Sequence, residues 1–188
     1  MHTRSIAAAA AVLLTVALSG CGSGQSAGGT SSPVEEKTLI VFAAASMQST
    51  FTELQQTFEA ENPGTTITFN FAGSQALATQ LNEGATADVF VSANDAQMKV
   101  VTDAGLADGD PIVFATNQLA IAVPPDNPAG ITSFADLAAE GLKLVVCAPA
   151  VPCGAATEKV EAASGITLHP VSEEQAVTDV LSKVSTGE

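Results

Sequence analysis

The feature that most constrains this chain is an alternation of short apolar runs with segments of helical spacing. Leu39-Ile40-Val41-Phe42 is apolar throughout, the pattern of a parallel strand buried on both faces. Met47, Phe51, Leu54 and Phe58 follow at helical spacing, and Asn62-Pro63-Gly64 closes that helix. Ile67, Phe69 and Phe71 alternate with Thr66, Thr68 and Asn70, which predicts a strand. Leu77 and Leu81 sit on a short helix ended by Gly84, residues 88–92 read as a strand, and Met98 and Val101 mark a helix stopped at Gly105. Residues 112–114 and 119–123 read as strands before Pro124-Pro125-Asp126-Asn127-Pro128 breaks the chain. Ser133 with Asp136 is placed to cap a helix through Leu137. Residues 142–146 predict a strand, 154–163 a helix ending near Gly165, and 166–168 a brief strand. Ser172 and Gln175 read as a capping box ahead of Val177, Leu181 and Val184. Repeated βα units predict an α/β fold with parallel strands, whose ligands sit where strands end and helices begin.

Residues 1–20 carry one Arg, Arg4, and then an apolar run from Ile6 to Leu18. The run is short for a membrane span and fits the apolar region of a signal peptide. Leu18-Ser19-Gly20-Cys21 resembles a bacterial lipobox, which predicts lipidation of Cys21; the alternative is an ordinary secretory signal with an incidental cysteine. Residues 21–37, rich in Gly and Ser, read as a flexible tether.

Charge narrows the function further. Six Lys and Arg stand against 20 Asp and Glu, for a formal charge of −14. That leaves no basic face for nucleic acid and no polybasic patch for a membrane. Of the two histidines His2 lies in the leader, so a His-rich metal site or a Ser-His-Asp triad would depend on His169, which reads as an ordinary strand-end residue beside Pro170. The paired acids Glu35 and Glu36, Glu59 and Glu61, and Glu173 and Glu174 read as solvated or helix-dipole charges rather than catalytic pairs. Cys147 and Cys153 flank a five-residue loop in an exported chain, which predicts a disulfide, with two free thiols as the alternative.

The strand-to-helix turns are Ala43-Ala44-Ala45-Ser46, Ala72-Gly73-Ser74, the loop from Ala148 to Gly154, and the turn before Val177. None contains Lys or Arg. They offer hydroxyls and the unpaired N–H groups of helix starts, where the helix carries roughly half a positive charge. Such groups bind anions. Ser46 and Ser74 also sit where N-caps belong, so the residues alone leave capping and ligand binding both open.

Three segments carry a family resemblance. Val41-Phe42-Ala43-Ala44-Ala45-Ser46, Phe71-Ala72-Gly73-Ser74 and Gly84-Ala85-Thr86-Ala87-Asp88-Val89-Phe90-Val91-Ser92-Ala93 together resemble the periplasmic molybdate-binding proteins, the solute receptors of molybdate ABC transporters. Val151-Pro152-Cys153-Gly154 and Ser172-Glu173-Glu174-Gln175-Ala176-Val177 resemble two later turns of that family, and the match runs from about residue 38 to the last. The resemblance implies a two-lobed periplasmic-binding-protein fold of type II, with lobe 1 over 38–116, lobe 2 over 117–188 and a ligand cleft between them.

It implies that molybdate, or tungstate, is held by Ser46, Ser74 and the backbone N–H groups of Cys153 and Val177. No catalytic residue, cofactor or further metal is implied. The partners would be the oxyanion, an ABC permease and, through lipidated Cys21, the outer face of the cell membrane; the receptor is expected to be a monomer. The family's tyrosine ligand lies one strand beyond the helix that ends this chain, and the chain has no tyrosine. The resemblance therefore predicts that the second lobe is incomplete at Glu188. The alternatives are a receptor of the same fold for sulfate or phosphate and, more distantly, an exported hydrolase using Ser46 or Ser74 with His169 as base.

Overall fold

The computed structural model describes residues 36–187. The expected signal peptide at 1–20, Cys21 and the expected tether as far as residue 35 lie outside the described residues; the end of the tether expected over 21–37 is already strand, since Lys37 opens β1. Strand β1 (Lys37–Ala44) runs between β2 (Thr65–Ala72) and β3 (Val89–Val91), and all three are parallel. Val41 lies beside Phe69 on one side and Val89 on the other. Because side chains alternate along a strand, β1 serves two cores. Phe42 packs with Leu77, Ala78, Leu81 and Val101 of helices α2 (Ser74–Asn82) and α3 (Asp95–Asp103). Val41 and Ala43 pack with Val91 and, from helix α1 (Gln48–Glu61), with Phe51. This two-sided burial explains why residues 39–42 are apolar without alternation.

Helix α1 is held to β2 by a polar seam as well as by Phe51. Glu59 accepts the backbone N–H of Ile67 at 2.7 Å and the amide of Gln55 at 2.9 Å, while Gln55 also donates to Ile67 O at 2.8 Å. The Ile67 N–H, and then the Gln55 amide, hold the Glu59 carboxyl below the usual carboxylate range. Glu59 is thus a structural acceptor rather than the solvated charge its sequence context predicts. Leu54, expected on the buried stripe, is 55% exposed. It lies roughly 60° around the helix from Phe51, off the seam.

The two strands expected at 112–114 and 119–123 are absent. Residues 106–134 form no helix or strand, and Ile112, Val113 and Phe114 are exposed at 85%, 73% and 62%. A strand needs a ladder partner, and among the described residues no strand pairs with this segment. Phe114 leans on the α1 face, its ring 6.4 Å from that of Phe51. Ser133 and Asp136 do bond reciprocally, through Ser133 N–H to the carboxylate at 2.8 Å and Asp136 N–H to the hydroxyl at 3.4 Å. The helix they start is a single 3-10 turn, Ala135–Ala138.

A second parallel sheet follows, made of β4 (Val145–Cys147) and β5 (Ser172–Glu174), with helix α4 (Pro152–Ser164) between them in sequence and α5 (Val177–Thr186) after them. The brief strand expected at 166–168 is instead an irregular link. Leu168 is buried there and its N–H bonds to Glu161 Oε1 at 2.7 Å. Pairing falls on residues 172–174, which the capping-box reading had assigned to the helix start. The chain is an α/β protein with two parallel sheets and helices packed on them. No described helix is long and apolar enough to cross a membrane.

Candidate functional site

Five turns among the described residues leave the carboxyl ends of strands and enter helices, and four of them hold the residues expected to bind the anion. After β1 the chain makes a 3-10 turn, Ala45–Met47, before α1. Ala43, Ala44 and Ala45 are buried, since only small side chains fit the end of a central strand there. Ser46 stands exposed, and its hydroxyl has no hydrogen-bond partner among the described residues. It does not cap a helix: the residues preceding the 3-10 turn and α1 are Ala44 and Met47, and neither makes a side-chain cap.

After β2, Gly73 is the residue before α2 and Ser74 is the first helical residue, so Ser74 does not cap either. Ser74 is 1% exposed. Its hydroxyl oxygen accepts the backbone N–H of Ala93 at 3.0 Å, and no described group takes its proton. The genuine N-cap among the helices packed on the first sheet is Asn94, whose Oδ1 accepts the N–H of Gln97 at 3.0 Å ahead of α3. Asp88 is framework: its carboxylate accepts Ile40 N–H at 2.7 Å and its own N–H returns to Ile40 O at 2.8 Å.

After β4 the loop closes through Val151 N–H to Ala148 O at 2.9 Å and enters α4 at Pro152. Proline suits this first helical position because it has no N–H to leave unpaired. Ala155 N–H returns to Val151 O at 2.9 Å, so Cys153 N–H lies among the donors ahead of the helical ladder. Cys153 is joined to Cys147 as a disulfide, with Cα atoms 5.7 Å apart. Gly154 is required by space: a Cβ there would stand 1.9 Å from Ala148 O.

After β5 the residue before α5 is Ala176, with no side-chain cap, and Val177 is the first helical residue. The capping-box reading of Ser172 and Gln175 fails because Ser172 is used elsewhere. Its hydroxyl donates to Glu174 and accepts from Lys183 Nζ at 3.0 Å, while Lys183 pairs with Glu174 at 2.8 Å. The Lys183 ammonium first, and the Ser172 hydroxyl second, hold the Glu174 carboxyl below the usual range.

These turns meet. Helix α5 packs against the 3-10 turn that carries Ser46. Gln75, next to Ser74, donates its amide to Gln175 O at 2.9 Å, two residues before Val177. A Cβ on Gly73 would stand 2.3 Å from that same carbonyl. Gln97 Nε2 reaches Ala150 O at 3.4 Å, three residues before Cys153. The arrangement gathers hydroxyls and helix-start N–H groups without one Lys or Arg in the turns themselves. A group of this kind can hold an anion by dipoles and hydrogen bonds, and it holds no proton acceptor paired with a nucleophile. His169, the base a hydrolase would need, is exposed and bonds to neither Ser46 nor Ser74. Among the described residues no cluster of three His, Cys, Asp or Glu side chains could hold a metal ion. Gln75 and Gln97 were not legible as site-builders, because a glutamine contact made 100 or 53 residues away leaves no local pattern.

The profile of the bacterial extracellular solute-binding protein family matches residues 39–188. The molybdate-binding protein ModA of Mycobacterium tuberculosis H37Rv is 53% identical over 177 residues, covering 94% of this chain and 68% of that protein. Among solved structures, the periplasmic molybdate-binding protein of Azotobacter vinelandii superposes with a TM-score of 0.59 at 19% identity, covering 79% of this chain and 67% of that one. The sulfate-binding protein SubI of Mycobacterium tuberculosis H37Rv superposes with a TM-score of 0.58 at 17% identity, covering 78% and 61%. At such identities the superpositions speak for the fold and leave the ligand open. The chain belongs to the bacterial extracellular solute-binding protein family.

Proposed function

We propose that this protein is the extracytoplasmic receptor of a molybdate ABC transporter, which captures molybdate, and tungstate in the same mode, and hands it to the permease without chemical change. The observation that carries the reading is the meeting of four strand-to-helix turns that present donors and no basic side chain, in a chain 53% identical to a molybdate-binding protein. The ligands are the hydroxyls of Ser46 and Ser74 and the backbone N–H groups of Cys153 and Val177. Residues 38–116 and 117–188 act as the two lobes, with the anion in the cleft between them, and one receptor works as a monomer.

The chemistry follows from the donor set. Molybdate at neutral pH carries no proton, so all four oxygens accept. A site made only of donors suits it, whereas a protonated phosphate would set its own donor against a protein donor. Hydrogen bonds to a charged partner contribute roughly 1.5–3 kcal/mol each. Several, held in place by the fold, can offset the desolvation of a dianion. The formal charge of −14 opposes approach only weakly, because salt screens beyond about 8 Å. The leader and Cys21, outside the described residues, support anchoring to the outer face of the membrane by a lipid on Cys21, with the tether expected over 21–37 leading up to β1. Fatty-acid labelling lost in Cys21→Ser supports that anchor, and labelling retained rules it out.

Calorimetric titration with molybdate, tungstate and sulfate side by side tests the function. Molybdate and tungstate are expected to bind alike and sulfate, a smaller ion with the same acceptors, more weakly. Sulfate bound more tightly than molybdate would assign the receptor to the sulfate class instead.

A further inference from the structure

We propose that Gln75 and Gln97 form two reversible clasps that set the spacing of the anion site, making them positioning residues for binding. Each starts in a helix packed on the first sheet, Gln75 in α2 and Gln97 in α3, and each ends on a backbone carbonyl of a turn that leaves a strand of the second sheet. Gln75 Nε2 donates to Gln175 O at 2.9 Å, and Gln97 Nε2 donates to Ala150 O at 3.4 Å. The carbonyls lie just ahead of the helix starts at Val177 and Pro152. The clasps therefore fix the distance between Ser74 and the donors of Val177 and Cys153, the ligands assigned above; in that respect the inference rests on the molybdate reading.

The Gln75 clasp is built to be poised rather than locked. Its amide lies across Gly73, where a Cβ would stand 2.5 Å from Oε1 and 2.6 Å from Nε2. Only glycine leaves that gap open. With the clasp shut, Oε1 is buried and has no donor. Opening the clasp breaks one hydrogen bond but rehydrates that oxygen, and the two effects oppose each other. A latch near balance is one that a ligand bound on both sides can tip. The longer 3.4 Å contact of Gln97 adds a second point of closure without making it permanent.

The test uses hydrogen–deuterium exchange and calorimetry on the full chain carrying Gln75→Ala, Gln75→Glu or Gln97→Ala. Glutamate has the shape of glutamine but sets an acceptor against Gln175 O. In the absence of anion, exchange of peptides spanning 173–178 is expected to speed up in both Gln75 variants, more in Gln75→Glu, with β1 unchanged. Peptides spanning 148–153 are expected to speed up in Gln97→Ala. Molybdate Kd is expected to rise about threefold to tenfold in each alanine variant, the higher figure corresponding to roughly 1.4 kcal/mol. Unchanged exchange at 173–178 in both Gln75 variants overturns the clasp. Faster exchange with an unchanged Kd reduces it to a structural contact and overturns the positioning role. Wild-type protein that binds no molybdate removes the molybdate reading, while the exchange data still decide whether the clasps exist.

Discussion

The hydroxyl oxygen of Ser74 accepts the N–H of Ala93 at 3.0 Å, which ties the start of α2 to the turn before α3. That bond occupies a lone pair and leaves the hydroxyl proton to point elsewhere. It gives Ser74 two jobs, one structural and one toward the proposed ligand. Ser46, exposed and unpartnered, has only the second. Ser74→Ala should therefore destabilise the fold by about 1–3 kcal/mol, the cost of orphaning the partly buried Ala93 N–H, whereas Ser46→Ala should stay within about 0.5 kcal/mol. Both should weaken molybdate binding. Urea unfolding separates the two costs; equal stability losses would contradict the Ser74–Ala93 assignment, and wild-type affinity in both variants would remove the serines from the site.

The Cys147–Cys153 disulfide closes a short loop that presents the Cys153 N–H. Chain-entropy reasoning assigns so short a loop about 2 kcal/mol. Reduction should lower stability by that amount and speed exchange across 148–153, because Val151 N–H to Ala148 O is the main backbone bond left inside the loop. Mass spectrometry before and after reduction reads the pairing directly. Alkylation of both Cys147 and Cys153 in the unreduced, folded protein would refute it.

Glu174 carries a pH signature. Lys183 and Ser172 lower its pKa, so the folded state binds its proton less readily than the unfolded chain does. The stabilisation is present above the ordinary glutamate value of about 4.3 and is lost as pH falls through the lowered folded value. Wild type should exceed Glu174→Gln in thermal stability at neutral pH, and the gap should close in acid below that range. A gap that widened as the pH fell would contradict the ion pair.

Burial separates two aliphatic side chains that look alike in sequence. Leu77 is fully buried between β1 and α3, whereas Ile112 is 85% exposed. Leu77→Ala should cost about 2–5 kcal/mol, and Ile112→Ala should lie within about 0.5 kcal/mol. Denaturant midpoints decide; comparable losses would mean that residues 112–123 are packed in solution.

How much was legible follows from the range of the interactions involved. Residues 39–42, 47–58 and 65–72 were readable because burial on one or both faces writes its period into adjacent positions. Ser46, Ser74 and the Cys147–Cys153 loop were readable as turn chemistry. Residues 119–123 are apolar throughout, as residues 39–42 of β1 are, and form no strand, since periodicity states a preference and a ladder needs a partner. Residues 172–174 were misread because Ser-x-x-Gln is equally a cap pattern, and only pairing with 145–147 decided for a strand.

The amino-acid order alone determined the βα alternation, the absence of basic side chains from the turns and the small residues that let strand ends come close. Those are properties of neighbouring positions, set by side-chain size, charge and backbone propensity. Only the tertiary structure decided that Ser74 bonds to Ala93, that Gly73 lies under Gln175 O and that two glutamines bridge the turns. Those contacts exist because independently formed strands end side by side, and no local pattern encodes which carbonyl will arrive there.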